Sequence, residues 1–407
     1  MLQRHARSVG LLLGADAVSN HARFELADCW KGSGITMKLE CNRSALAAAF
    51  SAVGAVIPSR TPKPILQNAK LQVEGGKTTL IGTDSEIAIR YDVPDVDCKG
   101  SGEALLPTKR VNDILRELRD DKVILHIEQD AVRLCGERSE FRLPVSDPAE
   151  YPPVAGFDDQ DYFTIPGKTL RDMIRRTVFA TDPESARYAL GGILFEFSEN
   201  RLSLVATDSR RLALMHAPCG KHGNVLPPAA PPVVPSKTMS LLERTIPDTD
   251  DPVHIAIHHP NDVLFKTANA TIFSRLVEGR FPRYQDVIPR SHAVSIDLIA
   301  GAFHSVVRQA MIVTNEESRG VDFSFANGSV VLVSQAADVG VSRIELPISY
   351  TGEELVIRFD PRFISDFLKV LPAEMQVSLK LSTDEDPGVL TTEDGYTYVI
   401  MPLSREG

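Results

Sequence analysis

This 407-residue chain has five cysteines, Cys29, Cys41, Cys98, Cys135 and Cys219, which are scattered, odd in number and without a CxxC pair. Their arrangement excludes a disulfide scaffold or a cysteine-ligated zinc site and fits reduced thiols in a cytoplasmic protein. No apolar run approaches the roughly 20 residues that span a bilayer, so no membrane partner is expected. Catalytic signatures are missing as well. There is no HExxH or GxSxG, and His258-His259 are adjacent rather than at helical ligand spacing. Gly76-Lys77-Thr78 and Gly167-Lys168-Thr169 look like the tails of phosphate loops, but neither has the glycine required five positions earlier. Acidic runs at 248–251 and 384–386 fall in predicted turns, where solvated loop is the simpler reading. Catalysis, a metal and a cofactor are therefore not expected. Net positive charge is lacking too: the formal net is −10, so a basic coat over the whole surface is excluded.

What the chain does have is a repeat. From Met37 onward a unit of about 120 residues recurs three times. The second helical stretch of each unit, at 107–119, 235–246 and 360–371, places apolar residues in matching register: Val111, Ile114, Leu118; Met239, Leu242, Ile246; Ile364, Phe367, Leu371. Spacings of three and four predict amphipathic helices. A strictly alternating strand follows each: Val123, Leu125, Ile127; Val253, Ile255, Ile257; Val377, Leu379, Leu381. An earlier helical stretch opens each unit, near 43–56, 167–179 and 295–312, with two or three strands in between. The predicted fold is α+β: three repeated modules at 37–157, 158–289 and 290–407, each with two helices packed on antiparallel sheet. Residues 1–36 stand outside the repeat, and are expected to be a disordered extension or the product of a start placed too early, with a targeting segment as the alternative.

Each second helix also carries a basic pair seven residues apart: Lys109 and Arg116, Lys237 and Arg244, Arg362 and Lys369. At roughly 100° per residue such a pair shares one face, opposite the apolar stripe. The six helical stretches together hold fifteen Lys or Arg against seven Asp or Glu, a net of +8, so the remainder of this acidic chain nets −18. Modules that set their helices on one side of a continuous sheet can close into a ring with a positive hole and a negative exterior. Such a lining attracts duplex DNA through its phosphates without reading bases.

Several stretches make the chain recognisable: 64–68 (PILQN), 187–196 (RYALGGILFE), 206–213 (ATDSRRLA), 277–284 (VEGRFPRY) and Met401-Pro402-Leu403. Across Met37 to Leu403 the sequence resembles the bacterial sliding-clamp family, the beta subunits of DNA polymerase III. The resemblance implies a head-to-tail homodimer, hence a six-module ring that encircles duplex DNA. It also implies an apolar cleft between the second and third modules, where the polymerase, the clamp loader and repair proteins dock through short linear peptides. The matching positions are Leu190, Thr207, Arg211, Leu212, Pro235, Met239, Val399, Met401, Pro402 and Leu403. The expected DNA-facing set is Lys109, Arg116, Lys168, Arg171, Arg175, Lys237, Arg244, Arg362 and Lys369, with Arg60 and Tyr188 added by the resemblance. For the dimer seam the resemblance points to Phe141 and Leu143 in module one against Phe303 and Val307 in module three, with strand edges at both chain ends pairing across it.

The sequence departs from the family pattern in three places. Ser209-Arg210 replaces the common Gly-His, which adds a cation beside the cleft. Ser404 stands where a basic residue is usual, with Arg405, Glu406 and Gly407 beyond, and Ala189 replaces the second tyrosine of a frequent pair. The competing reading is an architectural DNA-binding protein without topological linkage, which would need its basic residues on an outer surface.

Overall fold

The computed structural model describes residues 35–185, 189–258, 261–316 and 319–404. The first repeat runs β1 (Ile35–Asn42), α1 (Arg43–Gly54), β2 (Asn68–Glu74), β3 (Lys77–Thr83), β4 (Ile87–Asp92), β5 (Val96–Lys99) and β6 (Gly102–Pro107). It continues with α2 (Thr108–Glu117), β7 (Lys122–Glu128), β8 (Ala131–Cys135) and β9 (Glu140–Pro144). The second comprises β10 (Tyr162–Pro166), α3 (Gly167–Thr177), β11 (Gly192–Phe197), β12 (Arg201–Thr207), β13 (Arg211–Pro218), β14 (Gly220–His222) and β15 (Val233–Pro235). It closes with α4 (Ser236–Thr245), β16 (Pro252–His258), β17 (Asp262–Lys266) and β18 (Ala270–Arg275). The third comprises β19 (Val294–Ile299), α5 (Ala300–Met311), β20 (Val321–Ala326), β21 (Ser329–Ala336), β22 (Gly340–Pro347) and β23 (Leu355–Phe359). Its last elements are α6 (Pro361–Leu368), β24 (Gln376–Leu381), β25 (Gly388–Thr391) and β26 (Thr397–Ile400).

The helices form because each closes one apolar stripe over a sheet. In α1 the buried positions are Leu46, Ala49, Phe50 and Val53, and Asn42 caps its start by accepting from the amides of Ser44 and Ala45 at 3.0 and 3.1 Å. In α2 the core positions are Val111 and Leu115, so the buried stripe lies slightly to one side of the expected Val111, Ile114 and Leu118. One expected helix is shorter than its sequence stretch. Residues 295–299 are strand β19, because Ile296 and Leu298 alternate inward while Ser295, Asp297 and Ile299 face solvent.

Among the described residues the strands form four antiparallel sheets, and two of them ignore the repeat boundaries. In the nine-stranded sheet, β4 of the first repeat pairs with β18 of the second, Ile89 opposite Ile272. In the eight-stranded sheet, β13 of the second repeat pairs with β26 of the third, Leu212 opposite Val399. Both junctions are one construction: the strand after the repeat's central turn pairs with the closing strand of the next repeat. Two half-sheets are left over. The five-stranded one ends on β9 and the four-stranded one ends on β22.

On one side of these sheets the helices pack as pairs, α1 with α2, α3 with α4 and α5 with α6. α1 also touches α4, and Phe179, just past α3, lies 5.9 Å from the Lys369 ammonium beyond α6. The order α2, α1, α4, α3, α6, α5 is therefore a single row. Cys41, Cys98 and Cys219 are free thiols, and no described helix is long and apolar enough to cross a membrane.

Charged side chains rivet both junctions. Lys237 of α4 reaches Asp84, in the β3–β4 turn, at 2.5 Å, and Arg176 of α3 reaches Asp394, in the β25–β26 turn, at 2.6 Å. Burial pushes the Asp84 carboxyl up, but Lys237 and the amides of Ile87 and Glu86 outweigh it and hold the group below its ordinary value. Asp394 is lowered in the same way, burial being overcome by the Thr392 hydroxyl and Arg176. A carboxyl depressed on folding stabilises the native state above its unfolded value, about 3.9, and that contribution is lost as pH falls through the lower folded value. Going from about pH 6 to about pH 3 should therefore lower the urea midpoint, and the double variant Asp84→Asn, Asp394→Asn should show a flatter pH dependence than the parent. Equal dependence in the two proteins would remove these carboxylates from the account.

Candidate functional site

The ten described cations of the expected DNA-facing set all belong to this helix row and its loops, and all are exposed except Arg171, which is half-buried. Six have a carboxylate neighbour, three of them within three residues along the chain and three from distant segments. Arg116 pairs with Asp113, Arg171 with Asp248 at 3.7 Å, Arg175 with Glu243 at 3.2 Å, and Lys237 with Asp84. Arg362 pairs with Asp360 at 2.5 Å and Lys369 with Asp366 at 2.6 Å. Among the described residues Arg60, Lys109, Lys168 and Arg244 take part in no ion pair. Tyr188 lies outside the described residues.

A second site sits where the second repeat meets the third. Its frame is the turn between β12 and β13. Thr207 Oγ1 donates to the Arg211 carbonyl at 2.6 Å, and Asp208 Oδ1 accepts from the amides of Arg210 and Arg211, both at 3.0 Å. The turn requires a left-handed residue, and Ser209 takes that place at φ 75°. The β3–β4 turn repeats the design with Thr83, Asp84 and Ser85, the last at φ 82°.

Beside this turn opens a cavity of about 560 Å³. Leu212 and Val399, paired across the junction, form its floor with Phe281, Tyr284 and Met401. Tyr284 is held by donating its hydroxyl to Glu196 at 2.5 Å; burial and that carboxylate both raise its pKa. The rim carries Ser209, Arg210, Arg280 and Arg283, with Thr207, Arg211, Pro282 and Val287 completing the wall. Met401 is 39% exposed and donates its amide to the Arg210 carbonyl at 2.9 Å, which extends the junction ladder past β26.

Arg211 is a rivet rather than a free cation. It donates to Asp208 at 2.9 Å, to Asp366 of α6 at 2.7 Å and to the Phe179 carbonyl at 2.8 Å, with its guanidinium 4.5 Å from the Phe363 ring centroid. Burial works against its charge, yet Tyr398, Asp366 and Asp208 hold its pKa above the ordinary arginine value.

Of the ten positions expected in the cleft, Thr207, Arg211, Leu212, Val399 and Met401 line the cavity. Leu190 and Met239 lie outside the wall, and both are buried. Pro235, Pro402 and Leu403 are half-buried outside the wall, Leu403 turning away to donate its amide to the Arg358 carbonyl at 2.8 Å. The segment 280–287 supplies much of the wall and was missed as a site, although an aromatic pair among Arg and Pro in a connector was its signal.

The seam expectation needs correction. Phe303 and Val307 are both 0% exposed, packed under α5 in the third repeat's own core, so they cannot meet a partner. Exposed apolar side chains at that end of the chain are instead Ile312 at 75%, Val339 at 53% and Val341 at 66%. Phe141, by contrast, is 36% exposed on the unpaired edge strand β9, with Leu143 half-buried beside it. Among the described residues no group of His, Cys, Asp and Glu is placed to hold a metal ion.

Comparison with known proteins accounts for the chain in three consecutive stretches. Family models described as the DNA polymerase III beta subunit match it with the N-terminal domain at 37–155, the central domain at 164–283 and the C-terminal domain at 285–404. A beta sliding clamp from Halalkalibacterium halodurans is 30% identical over 353 residues, spanning 84% of this chain and 92% of its own. Among solved structures, a sliding clamp (DNA polymerase III subunit beta) from Pseudomonas aeruginosa bound to griselimycin is 28% identical, with a TM-score of 0.83, covering 92% of this chain and 100% of that one. The DNA polymerase sliding clamp from Bacillus subtilis is 26% identical, with the same TM-score and coverage.

The left-handed serine beside the cavity can be tested directly. A non-glycine residue in that region costs roughly 1–2 kcal/mol, part of which the Thr207 and Asp208 hydrogen bonds offset. Ser209→Gly should raise the unfolding free energy by about 0.5–1 kcal/mol, and Ser209→Val should lower it by at least about 1 kcal/mol, as read from denaturant melts. A stabilising valine would contradict the described turn.

Proposed function

Since this chain belongs to the DNA polymerase III beta-subunit family, the beta sliding clamps, we propose a division of labour among its surfaces. The chain is a DNA sliding clamp for replication, and it acts by enclosing the duplex rather than by catalysis. One observation carries the enclosure: both internal junctions join the turn-side half-sheet of one repeat to the closing half-sheet of the next, and the two half-sheets left over are one of each kind. β22 of one copy completes the pattern by pairing with β9 of another, in two equivalent seams. Phe141 and Leu143 face Ile312, Val339 and Val341 across each seam. The helix row then lines the opening, in the cytoplasm where replication takes place.

Arg60, Lys109, Lys168 and Arg244 make the direct phosphate contacts. The six paired cations contribute a screened positive field, since a neighbouring carboxylate cancels part of each charge. No base edge is read, and exchange between equivalent phosphates permits sliding. The cleft at the junction of the second and third repeats receives short peptides of the polymerase, the clamp loader and repair proteins, with Leu212, Val399, Met401, Phe281 and Tyr284 as the apolar seat.

The protein should run in solution near twice the 44.6 kDa chain mass. After loading on nicked circular DNA it should be retained, and it should be lost once the circle is cut. Retention on the linear product would favour a static architectural protein instead. The division among the cations has its own test. The triple variant Lys109→Ala, Lys168→Ala, Arg244→Ala should lower the slope of log affinity against log salt by about 0.9 for each phosphate contact removed. Removing the paired Arg116, Arg175 and Lys369 should lower it less, and the reverse order would discard the assignment.

A further inference from the structure

The rim of the cleft bears on which peptides it accepts, an inference that rests on the cleft reading above. Three arginines, Arg210, Arg280 and Arg283, stand at the rim, all exposed, and the cavity wall contains no carboxylate. The acids of the surrounding elements are already engaged or lie outside the wall. Asp208 and Asp366 are bound to Arg211, and Glu196 accepts the Tyr284 hydroxyl. Glu278 and Asp286 lie on the same connector but outside the wall. Among the described residues Arg210, Arg280 and Arg283 take part in no ion pair.

Arg210 is also held in place. Its amide is fixed by Asp208, its carbonyl accepts from Met401, and its guanidinium lies 5.4 Å from the Phe363 ring centroid. A cation pre-positioned in this way loses little freedom on meeting a ligand. Three uncompensated like charges around an apolar floor raise the local positive potential, and a ligand that brings carboxylates to the rim relieves it.

We propose that this cleft selects partner peptides whose apolar anchor is flanked by acidic residues, with Arg210, Arg280 and Arg283 as the specificity-determining side chains. The apolar floor favours a peptide over a nucleic acid strand as the anionic ligand. Repulsion by the same three cations rejects basic flanks, so discrimination combines attraction and exclusion.

The test uses the full chain and three fluorescent ten-residue peptides with the same pair of leucine anchors, flanked by Glu, by Gln or by Lys, followed by polarisation. The Glu peptide should bind about tenfold more tightly than the Lys peptide at low salt, a gap that shrinks to under about threefold at 0.5 M salt. Arg210→Gln with Arg283→Gln should narrow the gap, and Arg210→Glu with Arg283→Glu should invert the ranking. Equal affinity for the three peptides at low salt overturns the charge selection and leaves the cleft intact. Failure of all three to bind overturns the cleft reading with it. Displacement of the Glu peptide by an equal concentration of a ten-residue oligothymidine would assign the rim to phosphates rather than to peptide carboxylates. Because the salt dependence of the unaltered protein is read first, a misfolded variant cannot rescue or sink the idea alone.

Discussion

Backbone pairing between repeats is the constraint on which the rest of this structure depends. A sheet edge leaves a row of amides and carbonyls that must find partners, and here the first repeat finds them on the second and the second on the third. Once β4 is fixed on β18 and β13 on β26, the helices have one side of the sheet to occupy and fall into a row. Their solvent faces then fall on a common surface, which is how an acidic chain can present a basic one. Registry matters as much as pairing: a shift of one residue in β26 would turn Val399 away from Leu212 and dismantle the cavity floor.

The turns next to these junctions do two jobs. They reverse the chain between neighbouring strands, and their aspartates receive a cation, Lys237 on Asp84 in one case and Arg211 on Asp208 in the other. Arg211 goes further, joining the turn to α6 through Asp366 and supporting the cavity from behind. Tyr396 and Tyr398, both 0% exposed, complete this region by donating to the carbonyls of Arg176 and Phe363. The cleft is thus assembled from parts whose first role is to hold two repeats together.

Much of this was legible in the sequence, for physical reasons. Alternation in Val123, Leu125, Ile127 and its counterparts marks half-buried strands because the pleat has a period of two, and eight of those nine side chains are buried. Helical periodicity was equally clear, but it reports only that a face is covered. It does not say by what, and Phe303 and Val307, placed at the seam by the resemblance alone, belong to the core. The long-range ion pairs were hidden for a different reason: Asp84 lies 153 residues from Lys237, and Asp366 lies 155 from Arg211. The connector 280–287 escaped because its side chains acquire a common direction only after β18 and β26 have been placed.

A further consequence follows from the single sense in which every junction is made. Closing strand always meets turn-side strand, never its own kind, so an annulus built by this rule has two unlike faces, as a coin has heads and tails. The twofold axis of a dimer closed in this manner runs along the duplex, and symmetry sets both cavities on the same side. In the ring proposed above, both clefts therefore open toward one face, and the other face carries neither.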